Sequence, residues 1–360
     1  MLKTAPAVFA VENEYQIMVS TTRTALFSVR VGGEEYFDES NGIMRSISDL
    51  HRVRVPMAAL DAAGEYTVCV RPIIERKPYF TETEEPLEFL FPFYPVPAEN
   101  VRAYHIADAH NRRTNPIAAA KTFGEFDLLI LNGDVIDHSG DPSKFDNVYD
   151  ICSRLTHGAK PVIFSRGNHD MRGNFAERFA DYTPNASGNT YYTFRLGSLW
   201  GILLDCGEDK LDSSPEYGHT VCCKQFRRRQ TAFLRHVIEN KERDYAAEGV
   251  THRLVISHVP FTTRFEDPFN IEEDTYTEWA RLLREEVKPD VMICGHVHQI
   301  GVWEVGGPKD SFGQPCAVVV GSRPEKERWL GCGFVFGKDD IKVTFTDSTG
   351  AILDEKTLGI

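Results

Sequence analysis

The sequence predicts an α/β fold, in the broad sense that includes α+β, with a smaller all-β region in front of it. Up to about residue 95, short runs alternate between apolar and polar side chains and are separated by turn-forming residues. From Val101 onward, short apolar runs alternate with segments whose apolar side chains recur at helical spacing. The first pattern is typical of antiparallel strands, and the second of strands connected by helices.

The all-β region is expected to be a small β-sandwich of the immunoglobulin or fibronectin III type. No convincing helical period is visible in it. Its predicted strands cover residues 15–19, 25–31, 52–55 and 66–70, and the turn formers between them include Gly32-Gly33, Asn41-Gly42 and Ala63-Gly64. Pro92, Pro95 and Pro97 mark a linker. We therefore expect one domain over residues 1–95 and a second over residues 96–360.

The second region is predicted to alternate strands and helices. Apolar runs indicate strands at 101–107, 127–131, 161–165, 254–257 and 291–294, and a hairpin of 191–195 and 199–205 around Gly197. Helices are expected at 116–123, 143–155, 225–240 and 275–287, with a helix and loop over 171–190. Runs at 301–304, 317–321, 333–336 and 341–345 alternate like a second sheet.

Length, composition and net charge indicate how many domains the chain forms and which partners it can bind. The length of 360 residues fits about two domains, and 42% hydrophobic residues can bury a full core. A net charge of −13 argues against a nucleic-acid backbone as the main partner, because such proteins usually carry a basic patch. A small phosphorylated substrate is still compatible, since bound divalent cations would reverse the local field.

The sequence also predicts the cellular compartment of the protein. No run of eighteen uncharged apolar residues occurs, and the first ten residues lack the apolar core of a signal peptide. The eight cysteines lie mostly within apolar runs and show no CxxC spacing. Reduced thiols in a cytoplasmic protein are expected. Cys222 and Cys223 could form a redox pair, although plain packing is the more usual role.

Five polar clusters follow apolar runs, and their side chains are of the types that bind divalent metals. Carboxylate oxygens and imidazole nitrogens are the usual ligands of such ions. In α/β sheets, ligands collect where strands end. The clusters are Asp108-Ala109-His110, Gly133-Asp134, Gly167-Asn168-His169-Asp170, Ser257-His258 and Gly295-His296-Val297-His298.

Two adjacent dications require a bridging carboxylate, because they repel each other. Asp134, alone at a sharp strand end, suits that bridge. Asp108 and His110 are two residues apart, and in extended chain this spacing points both side chains the same way, toward one metal.

The remaining clusters supply the other ligands. His296 and His298 have the same two-residue spacing, so one could serve each metal. Asn168 offers a neutral oxygen and His258 a further nitrogen.

His169 is expected to face a bound phosphate as a general acid rather than to share the metal of its neighbour Asn168. Adjacent residues in an extended turn diverge, which separates the two side chains. Asp170 is expected to hydrogen-bond the imidazole, fix its tautomer and raise its pKa.

The five clusters, in order, form the pattern D-x-H, G-D-x-x-D, G-N-H-[DE], H and G-H-x-H. This pattern resembles the calcineurin-like metallophosphoesterase superfamily over about residues 101–345. The resemblance implies a four-layer α/β/β/α sandwich. It also implies a first metal on Asp108, His110 and His298, a bridging Asp134, and a second metal on Asn168, His258 and His296, with His169 as the acid.

The β region in front looks like the architecture of purple acid phosphatases, with one departure. Those enzymes carry a metal-binding tyrosine where this chain has Asp137, so a Mn, Fe(II) or Zn pair is expected rather than a coloured Fe(III) centre. Asp137 would then be a partner of the ligands or a weak extra ligand.

The implied reaction is hydrolysis of a phosphomonoester or phosphodiester by a hydroxide that bridges the two metals. The alternatives are a non-catalytic metal-binding scaffold on the same fold and a nuclease-type phosphodiesterase. A third is a single-metal hydrolase of another bond, which would leave ligands idle. Oligomeric state and physiological substrate do not follow from the sequence.

Each cluster also has an ordinary structural interpretation. Asp134 could cap a helix, the Gly-Asn-His-Asp segment could be only a turn, and His258 could be a satisfied histidine at a strand end. Arg112 could clamp a substrate phosphate, with a solvated side chain as the alternative. Phe261, Phe265 and Phe269 follow His258 in the chain, and they either line a substrate entrance or pack in the core.

Overall fold

The structure, a computed structural model, describes residues 1–39 and 42–360, so the turn predicted at Asn41-Gly42 lies partly outside the described residues. The described part of residues 1–95 is built mainly of antiparallel strands. Strand β2 pairs with β3, β4 and β5, and β5 pairs with β6 and β7. The elements here are β1 (Ala7–Val11), β2 (Glu14–Val31), β3 (Glu34–Phe37), β4 (Ser48–Pro56), α1 (Met57–Ala63), β5 (Glu65–Arg76), β6 (Thr81–Thr83) and β7 (Leu87–Pro92).

The expectation that this region has no helix was wrong. Helix α1 lies between β4 and β5, buries Met57 and Leu60, and ends at Gly64, whose φ is 66°. Two apolar contacts on seven residues are too few to create a visible 3.6-residue period, so tertiary packing decides this helix.

Residues 101–360 form an α/β fold, as predicted. The elements are β8 (Val101–Ile106), α2 (Thr114–Phe123), β9 (Leu128–Asn132), α3 (Asp146–Thr156), β10 (Pro161–Ser165), α4 (Phe179–Tyr182), β11 (Thr193–Leu196), β12 (Leu199–Leu203), α5 (Cys223–Glu239), β13 (His252–Ile256), α6 (Glu273–Leu282), β14 (Val291–Cys294), β15 (Gln299–Trp303), β16 (Ala317–Pro324), β17 (Trp329–Phe336), β18 (Asp340–Asp347) and β19 (Ile352–Gly359).

Two sheets carry these strands. In the first, β8, β9, β10 and β1 run parallel, and antiparallel β17, β18 and β19 extend it beyond β8. In the second, β12, β13, β14 and β16 run parallel, with antiparallel β11 and β15 on either side. Parallel strands place their carboxyl ends at one edge, which is where the predicted site residues follow.

Buried side chains alternate between the faces of each sheet. Leu128 and Ile130 of β9 belong to a core that they share with Leu254 of β13. Leu129, between the first two, belongs to a separate core under α2 and α3. Val255 of β13 belongs in turn to a third core under α5 and α6. The sheets therefore pack on each other through one face and on helices through the other.

Several elements differ from the sequence prediction. The helix expected at 143–155 is a 3-10 turn at Pro142–Phe145 followed by α3, and the segment 171–190 holds only short turns and α4. Strand β19 was not predicted, because its residues are almost all exposed and lack an apolar face.

Strand β1 was also not predicted, and it joins the first sheet. Val8 and Phe9 pair in parallel with Pro161 and Val162 of β10. All five residues of β1 are buried, which explains its continuous apolar run. The division into domains at residue 95 stays a prediction.

Within the described residues, every helix is too short or too polar to span a lipid bilayer. All eight cysteines are free thiols, and seven of them are buried or half-buried.

Candidate metal centre

The seven predicted ligands meet where strands of both sheets end. The first sheet contributes the residues after β8, β9 and β10, and the second contributes those after β13 and β14. Two of the ligands that touch, His110 and His298, are 188 positions apart in the chain. The ligands are Asp108, His110, Asp134, Asn168, His258, His296 and His298.

One group consists of Asp108, His110 and His298, whose ligand atoms all lie within 4.8 Å of one another. The Nε2 atoms of the two histidines are 3.2 Å apart, and His298 Nε2 lies 3.4 Å from Asp108 Oδ1. Asp108 is fully buried, and its Oδ2 accepts hydrogen bonds from Ser322 Oγ and from the backbone N–H of His296. The same N–H of His296 also lies 3.2 Å from Oδ1, the oxygen that faces His298 and His258.

A second group joins Asp108 to Asp134 and His258, and all three side chains are buried. His258 Nε2 lies 3.2 Å from Asp134 Oδ2 and 3.7 Å from Asp108 Oδ1. Burial by itself would lower the pKa of His258, but the two carboxylates raise it to about 10. The same contact holds the pKa of Asp134 well below its usual range, although burial opposes this.

Asn168 and His296 form the remaining ligand pair. Asn168 Oδ1 lies 3.0 Å from His296 Nδ1, and Asn168 Nδ2 lies 3.5 Å from Asp209 Oδ2. Burial lowers the pKa of His296 to about 4, so its ring is neutral and has a lone pair for a metal.

His169 contacts the same cluster through its backbone, while its ring faces the cavity. Its N–H donates to Asp134 Oδ1 at 2.9 Å, and Nδ1 lies 2.9 Å from the carbonyl oxygen of Asp137. Its Nε2 lies 3.5 Å from Arg172 Nη1. The Asp137 carboxylate lies 3.8 Å from both His169 Nδ1 and His110 Nδ1, at the edge of the cluster.

The structure places Asp170 differently from the sequence prediction, which directed it at the His169 ring. Its Oδ2 accepts the backbone N–H groups of Gly167 at 2.7 Å and of Asp134 at 3.1 Å. Burial raises the pKa of this carboxyl to about 8. Asp170 therefore holds two loops together, and the carbonyl of Asp137 takes the orienting role for the imidazole. His169 begins a 3-10 turn, in which adjacent side chains point about 120° apart, and Asp170 is directed to the backbone N–H groups of Gly167 and Asp134.

Arg112 also has a structural partner. Its Nη1 donates to the carbonyl oxygen of Glu325 at 2.6 Å. This contact connects the loop of Asp108 and His110 to the residue that follows β16. Binding of a substrate phosphate by Arg112 stays a prediction.

The ligand loops have unusual backbone geometry. Positive φ is uncommon outside glycine and costs about 1–3 kcal/mol per residue where the surroundings enforce it. Five of the seven ligands adopt it: Asp108 at 52°, His110 at 45°, Asp134 at 51°, His296 at 69° and His298 at 50°. Such clustering is typical of functional sites.

Three glycines allow the loops to approach each other. A Cβ on Gly167 would lie 2.2 Å from Asp134 Oδ1, and one on Gly133 would lie 2.5 Å from His258 Nδ1. A Cβ on Gly295 would lie 2.5 Å from the Cβ of Ala107. The glycine in each of the three motifs is therefore needed for space.

Sequence reasoning missed some residues of this site. Ser322 holds Asp108, and Asp209 and Arg172 lie beside Asn168 and His169. Ser322 follows the apolar run of β16 directly, so the same strand-end rule could have found it. Asp209 lies six residues beyond the end of β12, where the rule would have selected Asp205 instead. Arg172 carries no such signal, since its role depends on the loop that brings it back to Glu208 and Asp209.

A cavity of about 430 Å³ opens over the cluster. One side presents metal-ligand candidates and His169, and the other presents aromatic rings. Its lining includes Asp134, Asn168, His169, Asp209, Phe265, Phe269, His296, His298, Trp303 and Lys309.

The donor set fits two divalent cations. It combines two buried carboxylates, one amide oxygen and four imidazoles, which suit Mn, Fe(II) or Zn. The Nε2 atom of His258 is buried and faces the Asp134 carboxylate at 3.2 Å without a well-aligned hydrogen bond, and His110 Nδ1 is buried with no hydrogen-bond partner among the described residues. A metal at His258 Nε2 would satisfy that atom and the Asp134 carboxylate beside it.

Comparisons with known proteins indicate a family and a fold. A profile of the calcineurin-like phosphoesterases matches residues 101–300, more than half of the chain. A probable cyclic nucleotide phosphodiesterase of Rhodopseudomonas palustris is 28% identical over 182 residues, which cover 49% of this chain and 59% of that relative. The chain thus spans less than two thirds of the length of that relative.

A solved structure is similar over nearly the whole chain. The purple acid phosphatase from yellow lupin (Lupinus luteus) seeds superposes with a TM-score of 0.61 and covers 99% of this chain and 74% of its own. At 13% sequence identity, this likeness concerns the fold alone.

Proposed function

The chain belongs to the calcineurin-like phosphoesterase family, and we propose that it hydrolyses a phosphoric ester with two divalent metal ions. The observation that carries the proposal is the convergence of seven ligand side chains from both sheets on one cluster, whose carboxylates are buried and whose His298 is open to the cavity. In this arrangement Asp108, His110 and His298 would hold one ion, and Asn168, His258 and His296 the other. Asp134, whose Oδ2 faces His258, would serve both.

When bound, two such ions supply positive charge for the phosphoryl oxygens and an activated water as nucleophile. The chain's own residues do the rest. His169 keeps Nδ1 on the Asp137 carbonyl, so Nε2 is the ring atom that can hold a proton for the leaving oxygen. Asp170 Oδ2 holds the Gly167 and Asp134 loops together by accepting a backbone N–H from each, and the Ser322 hydroxyl donates to Asp108 Oδ2.

The substrate we propose is a small phosphorylated molecule. A cavity of about 430 Å³ fits a ligand of that size, and the net charge of −13 disfavours a nucleic-acid backbone. The relative named a probable cyclic nucleotide phosphodiesterase makes a phosphodiester the first class to test, with a phosphomonoester second. Asp137 stands where purple acid phosphatases carry a tyrosine ligand, which supports Mn, Fe(II) or Zn over Fe(III).

The test is hydrolysis of bis-p-nitrophenyl phosphate and p-nitrophenyl phosphate by metal-stripped protein to which Mn²⁺, Zn²⁺, Fe²⁺, Mg²⁺ or no metal is restored. Activity should require one of the first three ions and fall by at least about a thousandfold in Asp134→Asn. Asp354→Asn, an exposed carboxylate on β19, is the matched control and should act like wild type.

Two results would contradict the proposal. One is turnover that survives metal removal, and the other is full activity in Asp134→Asn. Two bound metals per chain with no hydrolysis of either ester would favour the non-catalytic scaffold.

A further inference from the structure

The cavity has an aromatic side that the proposed chemistry does not use. We call Phe265, Phe269 and Trp303 the aromatic wall; all three line the cavity together with the ligand candidates. The ring of Phe265 meets the ring of His296 edge-on, with centroids 6.0 Å apart and an interplanar angle of 83°. The apolar surface is therefore continuous with the metal cluster.

The three rings differ in burial, because Phe265 and Trp303 are partly buried against the core under α5 and α6, whereas Phe269 is exposed. Phe261, in the same loop, is fully buried and packs on Trp279 and Tyr276 at centroid distances of 5.4 and 5.7 Å. Phe269, by contrast, is 39% exposed. A large aromatic side chain held open to a cavity keeps apolar area in water, which is unfavourable unless a ligand covers it.

The loops that carry the wall are tied to each other. The hydroxyl of Thr263 donates to the carbonyl oxygen of Lys309 at 2.6 Å. The backbone N–H groups of Ser311 and Phe312 both donate to the carbonyl oxygen of Thr262, at 3.1 and 3.2 Å. The N–H of Arg264 donates to Ser311 Oγ at 3.0 Å. These bonds position the segments of Phe265 and Lys309 before a ligand arrives, and Trp303 is held by the pairing of β15 with β16, so little ordering entropy is lost there on binding.

One cation at the wall is available to a ligand. Lys309 Nζ lies 5.5 Å from the centroid of Trp303 and makes no ion pair within residues 1–39 and 42–360. Lys210 lies 5.1 Å from the Phe269 centroid, but it is paired with Asp209 and Glu216.

We infer that the aromatic wall binds a planar aromatic group attached to the phosphoryl group, such as a nucleobase, and so selects aromatic phosphoesters over aliphatic ones. The inference rests on the proposed function, because it assumes that the phosphoryl group lies at the metal cluster. Stacking of a base on an aromatic side chain contributes about 1–3 kcal/mol to binding, and any of the bases can stack. Lys309 can form a hydrogen bond to a polar substituent at the edge of the bound ring.

The experiment compares two phosphates that differ only in the aromatic group. Adenosine 5′-monophosphate and ribose 5-phosphate are titrated into the Mn²⁺-loaded protein by calorimetry. We expect adenosine 5′-monophosphate to bind about tenfold or more tightly than ribose 5-phosphate. Phe269→Ala should reduce that ratio to about threefold or less and leave the affinity for ribose 5-phosphate within about twofold.

Phe80→Ala is the matched control, because Phe80 is 78% exposed and lies outside the cavity lining. It should keep the wild-type ratio. Phe265→Leu is the second variant, which preserves apolar volume but removes the ring, and it should also lower the ratio. Circular dichroism confirms that each variant is folded.

Equal affinities of the wild type for the two phosphates would overturn the inference, as would a Phe269→Ala variant that keeps the full ratio. Bis-p-nitrophenyl phosphate turnover, measured on the same preparations, separates the two proposals. Hydrolysis without a preference for adenosine 5′-monophosphate would contradict only the role inferred for the aromatic wall. That preference without hydrolysis would contradict only the proposed reaction.

Discussion

The Nδ1 atom of His258 lies 2.7 Å from the carbonyl oxygen of Asn132. A carbonyl oxygen can accept a hydrogen bond but cannot donate one, so Nδ1 carries the proton. Nε2 is therefore the ring atom that is left to bind a metal. The Asn132 side chain is fully buried, and its Nδ2 donates to the carbonyl oxygens of Ile293 at 3.1 Å and Ser257 at 3.4 Å. Asn132 thus connects β9 of one sheet to the ligand loops of the other.

Asn132→Ala should weaken this connection. The two carbonyls lose a buried donor, which costs about 1–3 kcal/mol of unfolding free energy. His258 should also be held less firmly, so the affinity for Mn²⁺ should fall. Urea unfolding and Mn²⁺ titration measure the two effects, with the exposed Asn189→Ala as control. Unchanged Mn²⁺ affinity would mean that Asn132 supports the fold but not the ligand.

Gly167→Ala should disrupt the cluster by sterics alone. The new Cβ would lie 2.2 Å from Asp134 Oδ1 and 2.4 Å from Asp134 N, and a backbone atom cannot swing away. We expect a loss of about 1–3 kcal/mol in stability and weaker metal binding. Thermal unfolding with and without Mn²⁺ measures both. Gly359→Ala is the control, because a methyl group added there would have no other atom within 4 Å. A Gly167→Ala variant with wild-type metal affinity would refute the argument.

His169→Gln should separate metal binding from proton transfer. The side chain is 31% exposed and is not among the proposed ligands, so its replacement should leave the fold and the metal affinity unchanged. Its loss should lower kcat by roughly 10²–10⁴ for an ester with an alkyl leaving group, which needs a proton. The loss should be much smaller for p-nitrophenolate, a good leaving group. Equal losses for both leaving groups would show that His169 acts on the transition state by another route.

The stability of the metal-free protein should depend on pH through His105. Its ring is fully buried, with Nε2 3.2 Å from Asn132 Nδ2 and Nδ1 3.7 Å from Cys332 Sγ. Burial lowers its pKa to about 4; Asp108 acts against this shift and His258 adds to it. The unfolded chain, with a histidine pKa of about 6.5, binds the proton first.

Stability should therefore fall as the pH drops from about 6.5 to 4, by up to about 1.4 kcal/mol per pH unit. His105→Gln removes this contribution, so its unfolding free energy should change less steeply across that window. Urea unfolding at several pH values tests this, and the exposed His236→Gln should keep the wild-type slope. Identical slopes in wild type and His105→Gln would show that His105 does not control this dependence.

Much of the site was readable from the chain because strand ends have a simple sequence signature. An apolar run followed by glycine and a carboxylate, amide or imidazole marks a loop at the carboxyl edge, and Asp134 and His296 both follow that rule. The rule predicts which residue types occur at the strand ends but not where each side chain points. It could not show that Asp170 turns to the backbone of Gly167, since that depends on the 3-10 turn at His169.

The sequence by itself determined the α/β pattern, the chemistry of the donors and their positions along the chain, because periodicity and residue type are local properties. Tertiary structure alone decided that β1 lies between β10 and β2 in the first sheet and that helix α1 forms. It also decided that Phe265 and Phe269 line the cavity while Phe261 packs inside. Those outcomes depend on which surfaces meet across two sheets. Contacts between residues distant in the chain set that pairing, and a local pattern does not encode them.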